Sequence, residues 1–174
     1  MVFAVNSLLV IIFNPSLLNP GPQTTLTVTS FNAQGLIPFS QLACEHPTLD
    51  NTKLFELHHY LYSHKPDILM LNETWLKKSI SNSEVIPSTY KTFRLDRTHK
   101  THPLDPQNPR KFRKFGGGVL IAVRCDLDVI STSIEYKCSA ELLGITLKFT
   151  DGKKIILQSG YTWCQKSPRV SGIC

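Results

Sequence analysis

The chain has 174 residues, which is enough for one folded domain with a hydrophobic core but short for two. Its hydrophobic content of 41% and charged content of 18% are ordinary for a globular protein, which excludes wholesale disorder. The net charge of +6 attracts polyanions but identifies no particular partner.

Residues 1–24 are predicted to be a leader or linker outside the fold. Met1 to Phe13 is apolar but too short to span a bilayer. A signal peptide needs a basic start and a small-residue cleavage site, and both are missing here. The prolines that follow disfavour helix and central strand alike. A weak secretory leader is the alternative interpretation, and we expect no association with a membrane.

The next three elements are predicted to be a strand, a helix and a second strand. Leu26 to Asn32 has a strand-like pattern. Thr52 to His64 carries leucines at helical spacing and follows a capping residue, Asp50 or Asn51. A proline then ends the helix. Ile68 to Leu71 is a run of apolar residues, as in a strand that is covered on both faces.

Both predicted strands lead into polar side chains. Asn32 closes the first strand, and Glu73 follows the second. Open α/β sheets usually place their chemistry at the carboxyl ends of strands. One amide and one carboxylate at two strand ends supply half of a site for a hard cation, which prefers oxygen ligands.

The rest of the chain is predicted to be mainly β-structure. A glycine triplet, Gly116 to Gly118, precedes one of these strands, and Asp151-Gly152 is a hairpin turn signal. The predicted strands are Tyr90 to Leu95, Val119 to Val123, Val129 to Ile134, Leu142 to Phe149 and Lys154 to Leu157. Many strands with one good helix, in βαβ-then-meander order, indicate an α+β sandwich rather than a doubly wound sheet.

The cysteines and histidines give no sign of a disulfide framework or a zinc site. The five cysteines are odd in number, widely spaced and without a C-x-x-C pair, which favours a reducing compartment. His58 and His59 are adjacent on the predicted helix, where neighbours point in different directions. We therefore expect an intracellular protein, nuclear or cytoplasmic.

Several blocks occur in an order that resembles a known superfamily. They are Ser30 to Leu36, Pro66 to Leu76, Phe93 to Arg97, Gly116 to Val123 and the late Tyr161. Together they resemble the endonuclease/exonuclease/phosphatase superfamily, most closely the endonuclease domain of LINE-type (non-LTR) retrotransposons. The resemblance implies two packed β-sheets flanked by helices, a four-layer sandwich truncated at the C-terminus. Residues 25–161 would form a partial domain, and residues 162–174 an unrelated or disordered tail.

The resemblance also implies a chemistry, Mg²⁺-dependent hydrolysis of a phosphodiester or phosphomonoester. Glu73 would be the principal metal ligand, and Asn32 a second ligand or a phosphate-orienting amide. Tyr161 would contact the scissile phosphate, although the family favours Tyr-Arg-Pro where this chain has Tyr-Thr-Trp. Mn²⁺ is the alternative ion, and no small-molecule cofactor is expected.

The family completes its site with a Gly-Asp-Phe-Asn strand end and a terminal Ser-Asp-His, and neither block occurs here. The chain therefore resembles the N-terminal portion of a DNA-nicking endonuclease and is expected to be inactive as written. Two alternatives stay open. One is a phosphatase or phospholipase relative in the same superfamily, and the other is a pseudo-enzyme that binds DNA without cutting it.

The loop from Asp96 to Lys114 is rich in cations and adjoins the expected active rim. The basic residues predicted to contact the phosphate backbone of DNA are Arg97, Arg110, Lys111, Arg113 and Lys114. The alternatives are a merely solvated loop and a structural pair of Asp96 with Arg97. We expect the protein to bind DNA as a monomer.

The proposed site residues also have structural interpretations. A carboxylate after a strand is often a solvated turn residue, and Asn32 can make a side-chain turn with its own backbone before Gly35. Tyr161 can be a core aromatic. The triplet from Gly116 to Gly118 suggests a phosphate cradle, but a strand rather than a helix follows it. Close backbone packing is therefore the better explanation.

Overall fold

Two four-stranded β-sheets and one long helix make up the fold in this computed structural model, which describes residues 10–13, 26–98, 116–137, 140–149, 152 and 154–162. The first sheet has the order β2-β3-β5-β4 and the second β1-β8-β7-β6. The predicted α+β class with two sheets is thus confirmed.

In the first sheet, β2 and β3 are parallel and the other neighbours are antiparallel. Its strands are β2 (Val28–Asn32), β3 (Ile68–Asn72), β4 (Tyr90–Leu95) and β5 (Val119–Arg124). The second sheet is wholly antiparallel. Its strands are β1 (Val10–Phe13), β6 (Asp128–Lys137), β7 (Ala140–Lys148) and β8 (Lys154–Thr162).

Helix α1 (Asn51–His64) connects β2 to β3, as predicted. It begins at Asp50, whose side chain accepts hydrogen bonds from the backbone N–H groups of Thr52 and Lys53. It ends at Lys65, which has a left-handed φ of 46°, just before Pro66. Leu57 and Leu61 are its buried residues and face the first sheet.

The core consists of two layers on either side of the first sheet. Leu69 and Leu71 of β3 face α1, whereas Ile68 and Met70 face the second sheet. This alternation buries both faces of β3, as the continuous apolar run predicts. The partners from the other strands between the sheets are Val119, Ile121, Val123, Leu143, Ile145, Leu147 and Leu157. Burying each such side chain stabilises the folded state by about 1.5–3 kcal/mol relative to leaving it exposed.

The observed elements differ from the predictions in three places. Val10–Phe13, inside the predicted leader or linker, pairs with β8 as an edge strand. Strand β8 continues five residues past the predicted end at Leu157, to Thr162. A short helix α2 (Asn82–Val85) lies in a stretch predicted only as polar, since four residues are too few to show a helical period.

None of the helices in the described ranges has the length and apolarity that a membrane-spanning helix needs.

Candidate metal site

The parallel pairing of β2 and β3 brings two polar strand ends to one rim of the first sheet. Asn32 lies opposite Asn72 in register, and Glu73 follows directly. The backbone N–H of Ala33 extends the pairing by donating to the Asn72 carbonyl at 2.8 Å. The side-chain oxygen Oδ1 of Asn32 accepts from the backbone N–H of Gln34 at 3.0 Å, which is the side-chain turn given above as the structural alternative for Asn32. Its role as a metal ligand stays a prediction.

The Glu73 carboxylate is held through one of its two oxygens. Oε2 accepts hydrogen bonds from the Trp75 indole nitrogen and from the Gly117 backbone N–H, both at 2.7 Å. Within the described ranges no residue donates a hydrogen bond to Oε1. The side chain is only partly buried. The two hydrogen bonds to Oε2 therefore fix the orientation of the carboxylate.

Residues 73–75 form a strained segment that we call the hook. Glu73 and Trp75 have left-handed φ values of 54° and 57°. Such conformations of non-glycine residues cost of order 1 kcal/mol or more each and persist only where the surroundings enforce them. Thr74 between them is fully buried.

Backbone hydrogen bonds clamp the hook from both sides. The N–H groups of Thr74 and Trp75 donate to the carbonyls of Gly118 and Gly117, at 3.2 and 2.9 Å. On the other side, the N–H groups of Gly35 and Leu36 donate to the carbonyls of Glu73 and Thr74, at 2.7 and 2.8 Å. The hook thus continues the sheet beyond the formal ends of β2, β3 and β5.

The glycine triplet allows close packing against the hook. Gly117 has a φ of 71°, and a Cβ there would lie 2.3 Å from the Arg97 guanidinium. Gly118 has a φ of 86°, and a Cβ there would lie 2.7 Å from the Thr74 hydroxyl oxygen. Because the Gly117 N–H is bonded to Glu73, close packing rather than a phosphate cradle explains this glycine.

Arg97 is the predicted DNA-contacting residue whose side chain the structure describes. Its guanidinium lies over Gly117. A Cβ at Gly116 would be 3.8 Å from Arg97 Nη1 and 3.7 Å from Glu73 Oε2, so both groups border the same glycine. Asp96 forms an ion pair with Arg94 at 3.0 Å. The other predicted cations, Arg110, Lys111, Arg113 and Lys114, lie outside the described residues.

Tyr161 lies in the part of β8 that pairs with β7, opposite Glu141. It follows Ser159 by two positions along the strand. Its contact with a phosphate stays a prediction.

A buried polar pair that the sequence did not indicate joins the two sheets near this rim. The Ser159 hydroxyl donates to Asn72 Oδ1 at 2.9 Å, and the residues are 3% and 4% exposed. A serine in an antiparallel strand and an asparagine after an apolar run are each unremarkable alone. Their separation of 87 positions leaves no local pattern.

We predict that Ser159→Ala lowers the free energy of unfolding by about 1–3 kcal/mol, because it removes the buried hydroxyl that donates a hydrogen bond to Asn72 Oδ1. Ser131→Ala on the exposed part of β6 is the matched control and should change stability by less than about 0.5 kcal/mol. Urea denaturation measures both. Equal effects of the two substitutions would show that the hydrogen bond between Ser159 and Asn72 does not stabilise the fold.

The donors at this rim are hard oxygen ligands. Among the described residues, no group of three or more His, Cys, Asp and Glu side chains could hold a metal ion. Among the same residues the rim offers the Glu73 carboxylate, and Asn32 ends the adjacent parallel strand. Such a small oxygen set suits an ion that keeps several waters, as Mg²⁺ does, rather than a structural zinc.

Comparison with known proteins gave no match, either to a protein-family model or to a curated sequence.

Proposed function

We propose that the rim carrying Asn32 and Glu73 is the metal-binding part of a Mg²⁺-dependent phosphodiesterase site that acts on DNA. The proposal combines the rim with the blocks that resemble the endonuclease/exonuclease/phosphatase superfamily, and it identifies the two packed sheets with the sandwich of that superfamily. One observation supports it most. The Glu73 carboxylate is fixed through Oε2 just past the end of a buried strand, and Asn32 ends the neighbouring parallel strand at the same rim.

The donor set fits the proposed ion. Mg²⁺ binds few protein ligands, prefers carboxylate and carbonyl oxygens, and keeps most of its waters. Glu73 would bind through Oε1, since Oε2 already accepts two hydrogen bonds. Asn32 would add its amide oxygen or hold the phosphate. Mn²⁺ suits the same oxygen donors and is a practical substitute in experiments.

Each residue has a defined task in this proposal. The bound ion offsets negative charge on the phosphate and the leaving oxygen. Trp75 and Gly117 keep the Glu73 carboxylate in one orientation, which limits the rearrangement that binding requires. Tyr161 would donate to a non-bridging phosphate oxygen. This role requires its side chain to reach the Glu73 rim.

The proposed polymer is DNA because one cation lies near the rim and four more follow in the sequence. Arg97 borders the same glycine as Glu73. Arg110, Lys111, Arg113 and Lys114 follow within 17 positions along the chain. Phosphate contacts of this kind bind without base readout and weaken as salt rises.

This polypeptide is expected to bind DNA better than it cuts it. Its 174 residues contain neither the Asp-Asn nor the Asp-His block of the superfamily. Each missing acid–base group typically lowers the rate by about 10²–10⁴-fold. The alternatives are a DNA-binding pseudo-enzyme and a phosphatase or phospholipase relative, which has no need of the cationic loop.

Gel shifts and plasmid nicking, each with and without Mg²⁺, separate these functions when combined with Glu73→Ala. Mg²⁺-dependent binding or weak nicking that Glu73→Ala abolishes supports the proposal. Binding that ignores both Mg²⁺ and the substitution supports the pseudo-enzyme. Activity on a small phosphoester without DNA binding supports the phosphatase relative.

We predict that Arg97→Gln weakens DNA binding several-fold at low salt and reduces the slope of log K against log salt by about one. Lys148→Gln is the matched control, because Lys148 is exposed at the end of β7 that is remote from Tyr161. Fluorescence anisotropy with a labelled duplex at several salt concentrations measures both slopes. An unchanged slope for Arg97→Gln would remove Arg97 from the DNA interface.

A further inference from the structure

Lys53, in the first turn of α1, donates to three consecutive backbone carbonyls. Its Nζ lies 3.2 Å from the oxygen of Ala33, 2.7 Å from that of Gln34 and 2.8 Å from that of Gly35. An ammonium group has three N–H donors, so all of them are used. Lys53 therefore holds the turn after β2 as a single unit.

This turn supports both proposed metal ligands. Its Gln34 N–H donates to Asn32 Oδ1 at 3.0 Å. Its Gly35 lies against the indole of Trp75, where a Cβ would be 2.2 Å from ring atom Cε3. The same indole donates to Glu73 Oε2 at 2.7 Å. A displacement of the turn would therefore reach Asn32 directly and Glu73 through Trp75.

The cation of Lys53 stabilises the shape of this turn. Gln34 and Gly35 have left-handed φ values of 48° and 82°, and this conformation directs three adjacent carbonyl oxygens toward one point. Their partial negative charges repel one another unless a positive group lies among them. A neutral side chain of similar length at position 53 cannot provide that charge.

We infer that Lys53 is a positioning residue for the metal site, acting through the turn of residues 33–35 on Asn32 and on the Trp75–Glu73 hydrogen bond. The inference rests on the function proposed above. Loss of a group that orients a metal ligand commonly lowers metal affinity about 10–100-fold. Lys53→Met should therefore lower the affinity for Mn²⁺ by at least about tenfold.

The chain contains a control in Lys91. Its Nζ also donates to a loop carbonyl, that of Leu127 at 2.9 Å, but Lys91 lies level with Ile68, at the end of the first sheet remote from Asn32 and Glu73. Lys91→Met thus removes a carbonyl-bound cation from another part of the fold. We expect it to leave the Mn²⁺ affinity within about twofold of the original.

A second measurement follows the hydrogen bond from Trp75 to Glu73 directly and needs no metal ion. In an ¹H–¹⁵N spectrum of the whole chain, with Trp163→Phe to leave one indole, the Trp75 N–H reports on its bond to Glu73. Lys53→Met should shift this resonance and speed its exchange with solvent, and Lys91→Met should do neither. Lys53→Arg keeps the charge but presents its donors in a planar fork, so it should restore only part of the original signal and affinity.

The experiment distinguishes failure of the positioning role of Lys53 from failure of the proposed metal-binding function. An unchanged indole resonance and unchanged Mn²⁺ affinity in Lys53→Met overturn it. Equal losses in Lys53→Met and Lys91→Met also overturn it, since they indicate general destabilisation. If the unsubstituted chain binds no Mn²⁺, the proposed function fails, and the indole resonance alone decides whether Lys53 positions Trp75.

Discussion

Glu73→Gln should lower the affinity of the chain for Mn²⁺ roughly 100-fold or more, because it removes the charge of the proposed principal ligand. The substitution is conservative in every other respect. A glutamine carbonyl oxygen can accept the hydrogen bonds that Trp75 and Gly117 now donate to Oε2. The affinity is measured by following free Mn²⁺ in an electron paramagnetic resonance titration.

The specificity of this result depends on two controls. Glu45→Gln removes the same charge from an exposed residue and should leave the affinity unchanged. The melting temperature of Glu73→Gln should stay within a few degrees of the original, since a surface substitution that preserves hydrogen bonding usually changes stability by less than about 0.5 kcal/mol. Equal Mn²⁺ affinities for Glu73→Gln and the original chain would contradict a metal site at Glu73.

Gly35→Ala should destabilise the protein by about 2–4 kcal/mol, the sum of a backbone cost and a steric cost. Gly35 has a φ of 82°, which L-residues rarely adopt. A Cβ there would also lie 2.2–2.7 Å from three ring atoms of Trp75, so the indole must move. Because that indole orients Glu73, we expect Mn²⁺ affinity to fall together with stability.

Gly152→Ala separates the two costs. Gly152 has a φ of 81°, nearly that of Gly35, but a Cβ there would meet nothing within 4 Å. This control should therefore cost only about 1 kcal/mol, the backbone part. Urea denaturation of the two variants gives the difference. If Gly35→Ala were no more destabilising than Gly152→Ala, Gly35 would not pack tightly against Trp75.

Much of the fold could be predicted because its signals are local. The apolar run from Ile68 to Leu71 predicted a strand buried on both faces, and β3 is one. Leucines at helical spacing after Asp50 predicted α1, with its N-terminus correct to one residue. The strand predicted from Leu142 to Phe149 is β7, and its Leu143, Ile145 and Leu147 alternate onto the inner face. In each case one short window contains the whole pattern.

The features that remained hidden depend on residues far apart in the chain. Val10–Phe13 has little pattern of its own and becomes a strand through its pairing with β8. Ser159 and Asn72 form a hydrogen bond although they are 87 positions apart in the sequence. Lys53 contacts the turn of residues 33–35, which lies about 20 positions before it. The left-handed φ values of Glu73 and Trp75 oppose local preference and follow from the clamping of the hook on both sides.

The candidate site was therefore only partly predictable. Asn32 and Glu73 were identified as polar residues at strand ends, and the parallel register of β2 and β3 brings them to one rim. Trp75, Gly117 and Lys53, which fix the two ligands, could not be assigned roles because their contacts arise only from the tertiary structure.

Paramagnetic broadening by Mn²⁺ would locate the divalent ion most directly. At substoichiometric Mn²⁺, we expect the Asn32 side-chain amide and the Trp75 indole resonances to broaden first, while Arg124 at the other end of β5 stays sharp. The same titration of Glu73→Gln should broaden neither. Broadening centred on another part of the chain, or broadening at the rim that persists without the carboxylate, would contradict a metal ion held by Asn32 and Glu73.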